Sequence, residues 1–148
     1  MKIVRLPGLA EYELTWQAMR EFTESRTPDT GNQIWQVEHA AVYTLGQAGK
    51  PEHILNPGNI PIVHCNRGGQ VTYHGPGQVV LYPLIDLRRA KMFVKEYVHT
   101  LEEAIIQTLG HFGLTQATRK DGAPGVYVPM PDGELAKIAA LGVKVTNG

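Results

Sequence analysis

Residues 67–78 bring together more potential chemistry than any other stretch of this chain. Arg67, Thr72, Tyr73 and His74 supply hydrogen-bond donors and an imidazole that titrates near neutrality. Around them Gly68, Gly69, Gly75, Pro76 and Gly77 permit backbone angles that a Cβ forbids, so a ligand can come close to the main chain. Gln70, Val71 and Gln78 complete a segment that reads as a binding site rather than a plain connection.

Other reactive side chains fit less sharply. Lys137 lies among Leu135, Ala136, Ile138 and Ala139, where an ammonium would be partly desolvated and its pKa lowered toward that of a usable base. A lysine reaching out of an alternating strand fits the same spacing. Cys65, the sequence's single cysteine, follows Ile62-Val63-His64 and reads as a small buried hydrophobe. Adjacent strand residues face opposite ways, so His64 and Cys65 do not make a dyad. Of the six histidines, none forms an HxxxH pair, and no CxxC is present, so no metal is expected. His39 reads as a hydrogen-bonded structural histidine, and His53, His99 and His111 as surface groups. Gly46-Gln47-Ala48-Gly49-Lys50-Pro51 lacks the spacing and the Ser/Thr of a phosphate loop. Gly75-Pro76-Gly77 lacks the third glycine of a dinucleotide fingerprint.

Elements able to position these groups follow from periodicity. Leu9 to Arg26 has helical spacing, with Leu14, Ala18 and Phe22 in one row and Tyr12, Trp16 and Met19 beside it. Ile34–Glu38, Ala41–Thr44, Ile62–Cys65 and Val79–Asp86 read as strands, the last placed at an edge or a bulge by Pro83. Residues 46–61 read as a surface excursion. Val94, Val98, Leu101, Ile105, Leu109 and Phe112 predict an amphipathic helix. Gly125–Val128 reads as a strand, and Lys137–Val145 as strand residues on both sides of Gly142. Strands and two helices without strict βαβ alternation predict an α+β or mixed-sheet architecture in one domain spanning residues 1–148.

Composition narrows the function. Lys+Arg and Asp+Glu both total 14, giving no net charge and no basic footprint for nucleic acid. Leu87-Arg88-Arg89-Ala90-Lys91 reads as a solvated face. One cysteine favours a reducing compartment. The N-terminal residues hold no signal-peptide-like run, and no stretch is long enough to span a bilayer, so a cytoplasmic protein is expected.

The ordered blocks resemble one family, the lipoyl(octanoyl) transferases, or octanoyl-[acyl-carrier-protein]–protein N-octanoyltransferases. Glu38-His39 with Val42–Gly46, the run from Arg67 to Gln78, Gly125–Val128, and Lys137–Gly142 appear in that family's order. The resemblance implies an α/β fold shared with biotin and lipoate protein ligases, built round a mixed sheet flanked by helices. It implies passage of an octanoyl chain from octanoyl-acyl carrier protein to a lysine on lipoyl domains of 2-oxoacid dehydrogenases or the glycine cleavage H protein. The family uses a cysteine thioester and needs no cofactor or ATP. By the same resemblance Arg67, Gly68, Gly69, Gln70, Val71, Thr72, Tyr73 and His74 line the acyl site, and Ala140, Leu141 and Gly142 add backbone contacts. Lys137 matches the lysine that lowers the nucleophile's pKa and serves as acid/base. The family's nucleophilic cysteine lies beyond the Lys137–Gly142 block, after a second glycine-histidine strand. The sequence is therefore expected to be an N-terminal portion, inactive alone and exposing apolar sheet surface. An ATP-dependent lipoate or biotin ligase and a non-catalytic acyl- or carrier-binding module are the alternative readings.

Overall fold

A computed structural model describes residues 1–146. Strand β1 (Lys2–Ala10) leads into helix α1 (Tyr12–Glu24), then β2 (Gln33–His39), β3 (Val42–Leu45) and β4 (Ile62–His64). Strands β5 (Val71–His74) and β6 (Val80–Leu84) follow, then helices α2 (Leu87–Ala90) and α3 (Val94–His111), and strands β7 (Val126–Pro129) and β8 (Leu135–Ala139). Contacts divide the chain into two compact units, Met1–Asp86 with the segment from Lys144, and Leu87–Val143.

The first unit holds two three-stranded sheets of mixed direction. In one, ordered β1-β2-β6, β1 and β2 run parallel and β6 antiparallel. Parallel neighbours need a crossover, and α1 provides it. In the other, ordered β4-β3-β5, the excursion over 46–61 is the crossover between parallel β3 and β4, while β5 pairs antiparallel with β3. Pro83 falls on β6, an edge strand, where its missing N–H leaves no gap in a ladder. The mixed α/β architecture expected from the sequence is thus present.

Four details differ from expectation. Leu9 and Ala10, expected to open the helix, instead close a nine-residue strand with a register shift between Arg5 and Leu9. On α1 the inward row is Tyr12, Thr15, Trp16, Met19 and Phe22, and Leu14 and Ala18 face outward. Both rows have helical spacing, and the sheet selects the one bearing the larger rings: Phe22 meets Trp35, and Tyr12 meets His39. The glycine-rich segment contains a strand, β5, because Val71-Thr72-Tyr73 pairs with β3. Finally, β8 ends at Ala139, so residues 140–146 do not extend the strand past Gly142.

Val37, Val42, Leu45 and Val63 form the buried apolar residues of the first unit, with Tyr12 packed on Val42 and Val63. Alternation puts Ile3 and Leu81 on the sheet face opposite Trp35, and both are more than half exposed.

The second unit is built on α3. Val98, Leu101, Ile105 and Leu109 are partly buried, and Val94 and Phe112 stay exposed at the ends of the stripe. Glu96 Oε2 accepts the Phe93 N–H at 2.8 Å, satisfying a free donor at the helix start. Buried Glu102 ties α3 to the β7–β8 hairpin: Oε1 accepts the Gly125 N–H at 3.0 Å, and Oε2 accepts from Arg119 Nε at 3.1 Å.

Candidate active site

In the first unit the side chains with reactive chemistry gather round the end of β3 and the loop that follows β4. Arg67 organises this region. One terminal nitrogen donates to Gly68 O at 2.9 Å; the other contacts Thr44 Oγ1 at 2.6 Å, Thr44 O at 3.1 Å and Gln70 O at 3.1 Å. A planar guanidinium can serve several carbonyls from one position, which an ammonium cannot. The loop also accepts main-chain donors from beyond β3. Gly46 N–H reaches Gln70 O at 2.9 Å, Gln47 N–H reaches Arg67 O at 3.0 Å, and Ala48 N–H reaches Gly69 O at 3.0 Å. A Cβ on Gly46 would collide with Gly69 O and sit 2.7 Å from the Arg67 guanidinium, so this approach requires glycine.

Past β5 the chain reverses over Gly75-Pro76-Gly77-Gln78, closed by the Gln78 N–H on Gly75 O at 3.2 Å. Proline at the second position and Gly77 at φ +85° in the third are the signature of a type II turn. Glu38 Oε1 accepts the Gly77 N–H at 2.9 Å and holds the turn against β2. The return of the chain brings the Gln78 side chain to His74 Nδ1 at 2.6 Å and Tyr73 O at 3.1 Å.

His74 stands in a cluster of rings. Tyr12 is stacked at 6.1 Å between centroids, and His39 lies at 5.7 Å. His39 is fully buried, with Nδ1 2.9 Å from Ala10 O and Nε2 2.7 Å from the Tyr82 hydroxyl. A carbonyl can only accept, so Nδ1 carries the proton and Nε2 accepts from Tyr82. Burial pushes the pKa of His39 down, and it does the same for His74, aided by the charge of Arg67 and the neighbouring His39. Desolvation raises the hydroxyl pKa of both Tyr12 and Tyr82. The rings are therefore neutral near pH 7, suited to donating and accepting hydrogen bonds without net charge.

Cys65 packs as a small apolar side chain, as the sequence reading expects, but is only partly buried. It packs against Tyr12, Val42 and Val63, and its Sγ contacts Leu45 O at 3.3 Å. That location gives the thiol a structural surrounding.

In the second unit Lys137 is opposite Tyr127 across the β7–β8 ladder, with Nζ 5.5 Å from the ring centroid. The expected shelter is not found: Lys137 is exposed. The short hairpin covers only one side of its stem, and Leu135 and Ile138 are exposed as well. Leu141 is partly buried, and Ala140 and Gly142 are exposed. Among the described residues, no three histidine, cysteine or carboxylate side chains gather as a metal-binding group. Among the described residues, no helix is long and apolar enough to cross a membrane.

The lipoyl protein ligase A/B catalytic domain matches residues 11–148 of this chain. An octanoyltransferase of Bordetella parapertussis is 67% identical over 139 residues, covering 94% of this chain and 63% of that protein. One from Xanthomonas campestris pv. campestris strain B100 is 56% identical over 145 residues, covering 98% and 60%. A third, from Variovorax paradoxus, is 54% identical over 157 residues, covering 95% and 69%. The chain belongs to the octanoyltransferase family. It spans about six tenths of the length of the first two relatives. A chain from the solved structure of an archaeal lipoylation system, described as a bi-partite lipoate protein ligase and its E2 lipoyl domain from Thermoplasma acidophilum, aligns with a TM-score of 0.65. At 17% identity, covering 93% of this chain and 52% of that one, it shows a shared fold.

Of the residues that the resemblance to octanoyltransferases singles out, Arg67 to His74 share one unit, and Lys137 with Ala140 to Gly142 belong to the other. Sequence reasoning gave no site role to Tyr12, Thr44 or Tyr82, and treated His39 as purely structural. Tyr12 could have been found from its position at the start of a helix that follows a strand. Nothing in the local sequence marks Thr44 or Tyr82.

Proposed function

We propose that this protein supplies the acyl-site cradle and the acid/base lysine of an octanoyltransferase. The donor is octanoyl-acyl carrier protein. The acceptors are lipoyl-domain lysines of 2-oxoacid dehydrogenases and of the glycine cleavage H protein, in the cytoplasm. Family membership supports the reaction class, and one observation supports the site. Arg67 commits its donors to Thr44, Gly68 and Gln70, so the glycine-rich loop has its shape before a substrate arrives. Main-chain amides of such a loop suit a thioester carbonyl on which an oxyanion develops.

The chemistry balances without ATP, because the thioester is already activated. A cysteine thiolate attacks the donor carbonyl and the carrier's thiol leaves; the acceptor amine then attacks the acyl-enzyme, and the cysteine sulfur leaves. Lys137 holds the thiol as thiolate when charged and takes the amine's proton when neutral. Its side chain is exposed, so in this reading the acyl chain and the lipoyl domain exclude water from the amine as they bind. Cys65 does not fit the nucleophile. Its sulfur faces Leu45 O inside a packed cluster, and the sequence holds no second thiol.

The test is an intact-mass assay without ATP, using octanoyl-acyl carrier protein and a lipoyl domain. The enzyme is this chain fused to the remainder of the Bordetella parapertussis relative. An octanoylated lipoyl domain is expected. The unfused chain is expected to leave Cys65 unmodified, and a stable octanoyl adduct there would overturn its structural role. Acylation that needs ATP and free octanoate would instead favour a lipoate or biotin ligase. Octanoyl binding without turnover in the fused protein would favour a non-catalytic module.

A further inference from the structure

The amide of Gln78 is oriented by its surroundings. Its Nε2 is 3.1 Å from Tyr73 O, which can only accept, so the amide nitrogen faces that carbonyl. Oε1 is then the atom 2.6 Å from His74 Nδ1, and it can only accept as well. Nδ1 therefore carries the proton. In the neutral ring Nε2 is left with a lone pair, and no described residue donates to it. A free imidazole mixes both tautomers, whereas this one is held by a side chain that the Pro76-Gly77 turn returns to it. The other groups facing the ring are Tyr12 from α1, His39 from β2, and the Arg67 guanidinium.

We infer that Gln78 is a positioning residue that fixes His74 as the Nδ1–H tautomer, so that Nε2 accepts a hydrogen bond from an N–H or S–H donor bound at the cradle. The inference deepens the proposed octanoyl transfer and rests on it for the identity of that donor, since amines and thiols are the donors that acyl transfer brings. The chain of cause runs from sequence to chemistry. Proline and glycine set the turn, the turn sets Gln78, and Gln78 sets the tautomer.

Nitrogen NMR of the full chain with labelled histidine reads the tautomer directly, above the titration of His74, in the wild type, Gln78→Leu and Gln78→Glu. The wild type should show protonated Nδ1 and pyridine-like Nε2. Gln78→Leu should lose that predominance. Gln78→Glu should keep it, because a carboxylate still accepts from Nδ1. In the transfer assay with the fused protein, Gln78→Leu should be slower by about tenfold, the equivalent of one lost hydrogen bond, and Gln78→Glu should recover most of the rate. A wild-type ring protonated on Nε2, or a Gln78→Leu spectrum unchanged at His74, overturns the inference. A changed tautomer with an unchanged transfer rate overturns the positioning role. If the wild-type fused protein transfers no octanoyl group, the reading of function fails, and the NMR outcome still decides whether Gln78 sets the tautomer.

Discussion

The loop anchored by Arg67 and the hairpin bearing Lys137 are held in opposite ways. Round Arg67, buried Thr44 and a set of carbonyls absorb the guanidinium, main-chain bonds cross the loop, and His39 is sealed among rings. Round Lys137 there is a two-stranded hairpin, one ring under the ammonium, and solvent. The first region resembles a preorganised recognition surface, stiff because its polar groups are mutually satisfied. The second leaves its amine in solvent.

That contrast predicts opposite signatures for the two cations. Lys137→Ala should slow octanoyl transfer by roughly a thousandfold, within the range of general acid–base catalysis, when assayed in the fused protein. Because the side chain is exposed, urea unfolding should shift by no more than about 0.5 kcal/mol. A loss of several kcal/mol with modest effect on rate would make Lys137 a structural residue and erase the contrast.

Arg67→Ala should do the reverse, lowering stability by about 3 kcal/mol through unsatisfied Thr44 and loop carbonyls, measured by urea unfolding. Arg67→Lys should recover little, since a point charge cannot reach Thr44, Gly68 and Gln70 together. Hydrogen exchange should locate the loosening at residues 46–48, whose amides donate into the loop.

The same contrast explains what could be read from the sequence. Strand and helix positions were legible where apolar periodicity was strong, as in Ile62–His64 and along α3, and Pro83 restricted its strand to an edge or a bulge, of which the sheet shows the edge. The rotation of α1 was not legible, because two rows of its residues satisfy the helical period and only the strands it packs on decide between them. Thr44 and Tyr82 were invisible for a related reason. Their roles come from pairing partners, Arg67 for one and His39 for the other, that lie 23 and 43 residues away. Lys137 shows the limit of local composition. Four apolar neighbours suggested burial, but a two-stranded hairpin has too little depth to bury what an alternating strand turns outward.

The sealed state of His39 makes the first region sensitive to acid. Its folded pKa lies below the ordinary 6.5 because burial disfavours the charge. Below about 6.5 the unfolded chain takes up a proton that the folded chain refuses, so stability rises with pH through this window. His74, shifted the same way, adds to the effect. The stabilisation is complete above about pH 6.5 and is lost as the pH falls through the folded values. Urea midpoints measured from pH 7 to pH 5 should fall steadily. His39→Gln should start lower, having lost the bond to Tyr82, and should then decline less. An equal decline in both proteins would assign the acid sensitivity elsewhere.

The smallest expected effect concerns the ring under Lys137. Tyr127 is buried; it places its face 5.5 Å from Nζ and donates its hydroxyl to Ala123 O at 3.1 Å. Tyr127→Phe keeps the ring and drops that hydrogen bond, so it should cost about 1 kcal/mol of stability. Tyr127→Leu removes the ring too, and with it a cation–ring attraction worth about 0.5–1 kcal/mol at an exposed site. If the ring helps to aim the amine, Tyr127→Leu should slow transfer a few-fold more than Tyr127→Phe does. Equal rates in the two variants would leave Lys137 without any fixed direction before substrate binds, and the division between a preformed cradle and an amine organised only on binding would become sharper.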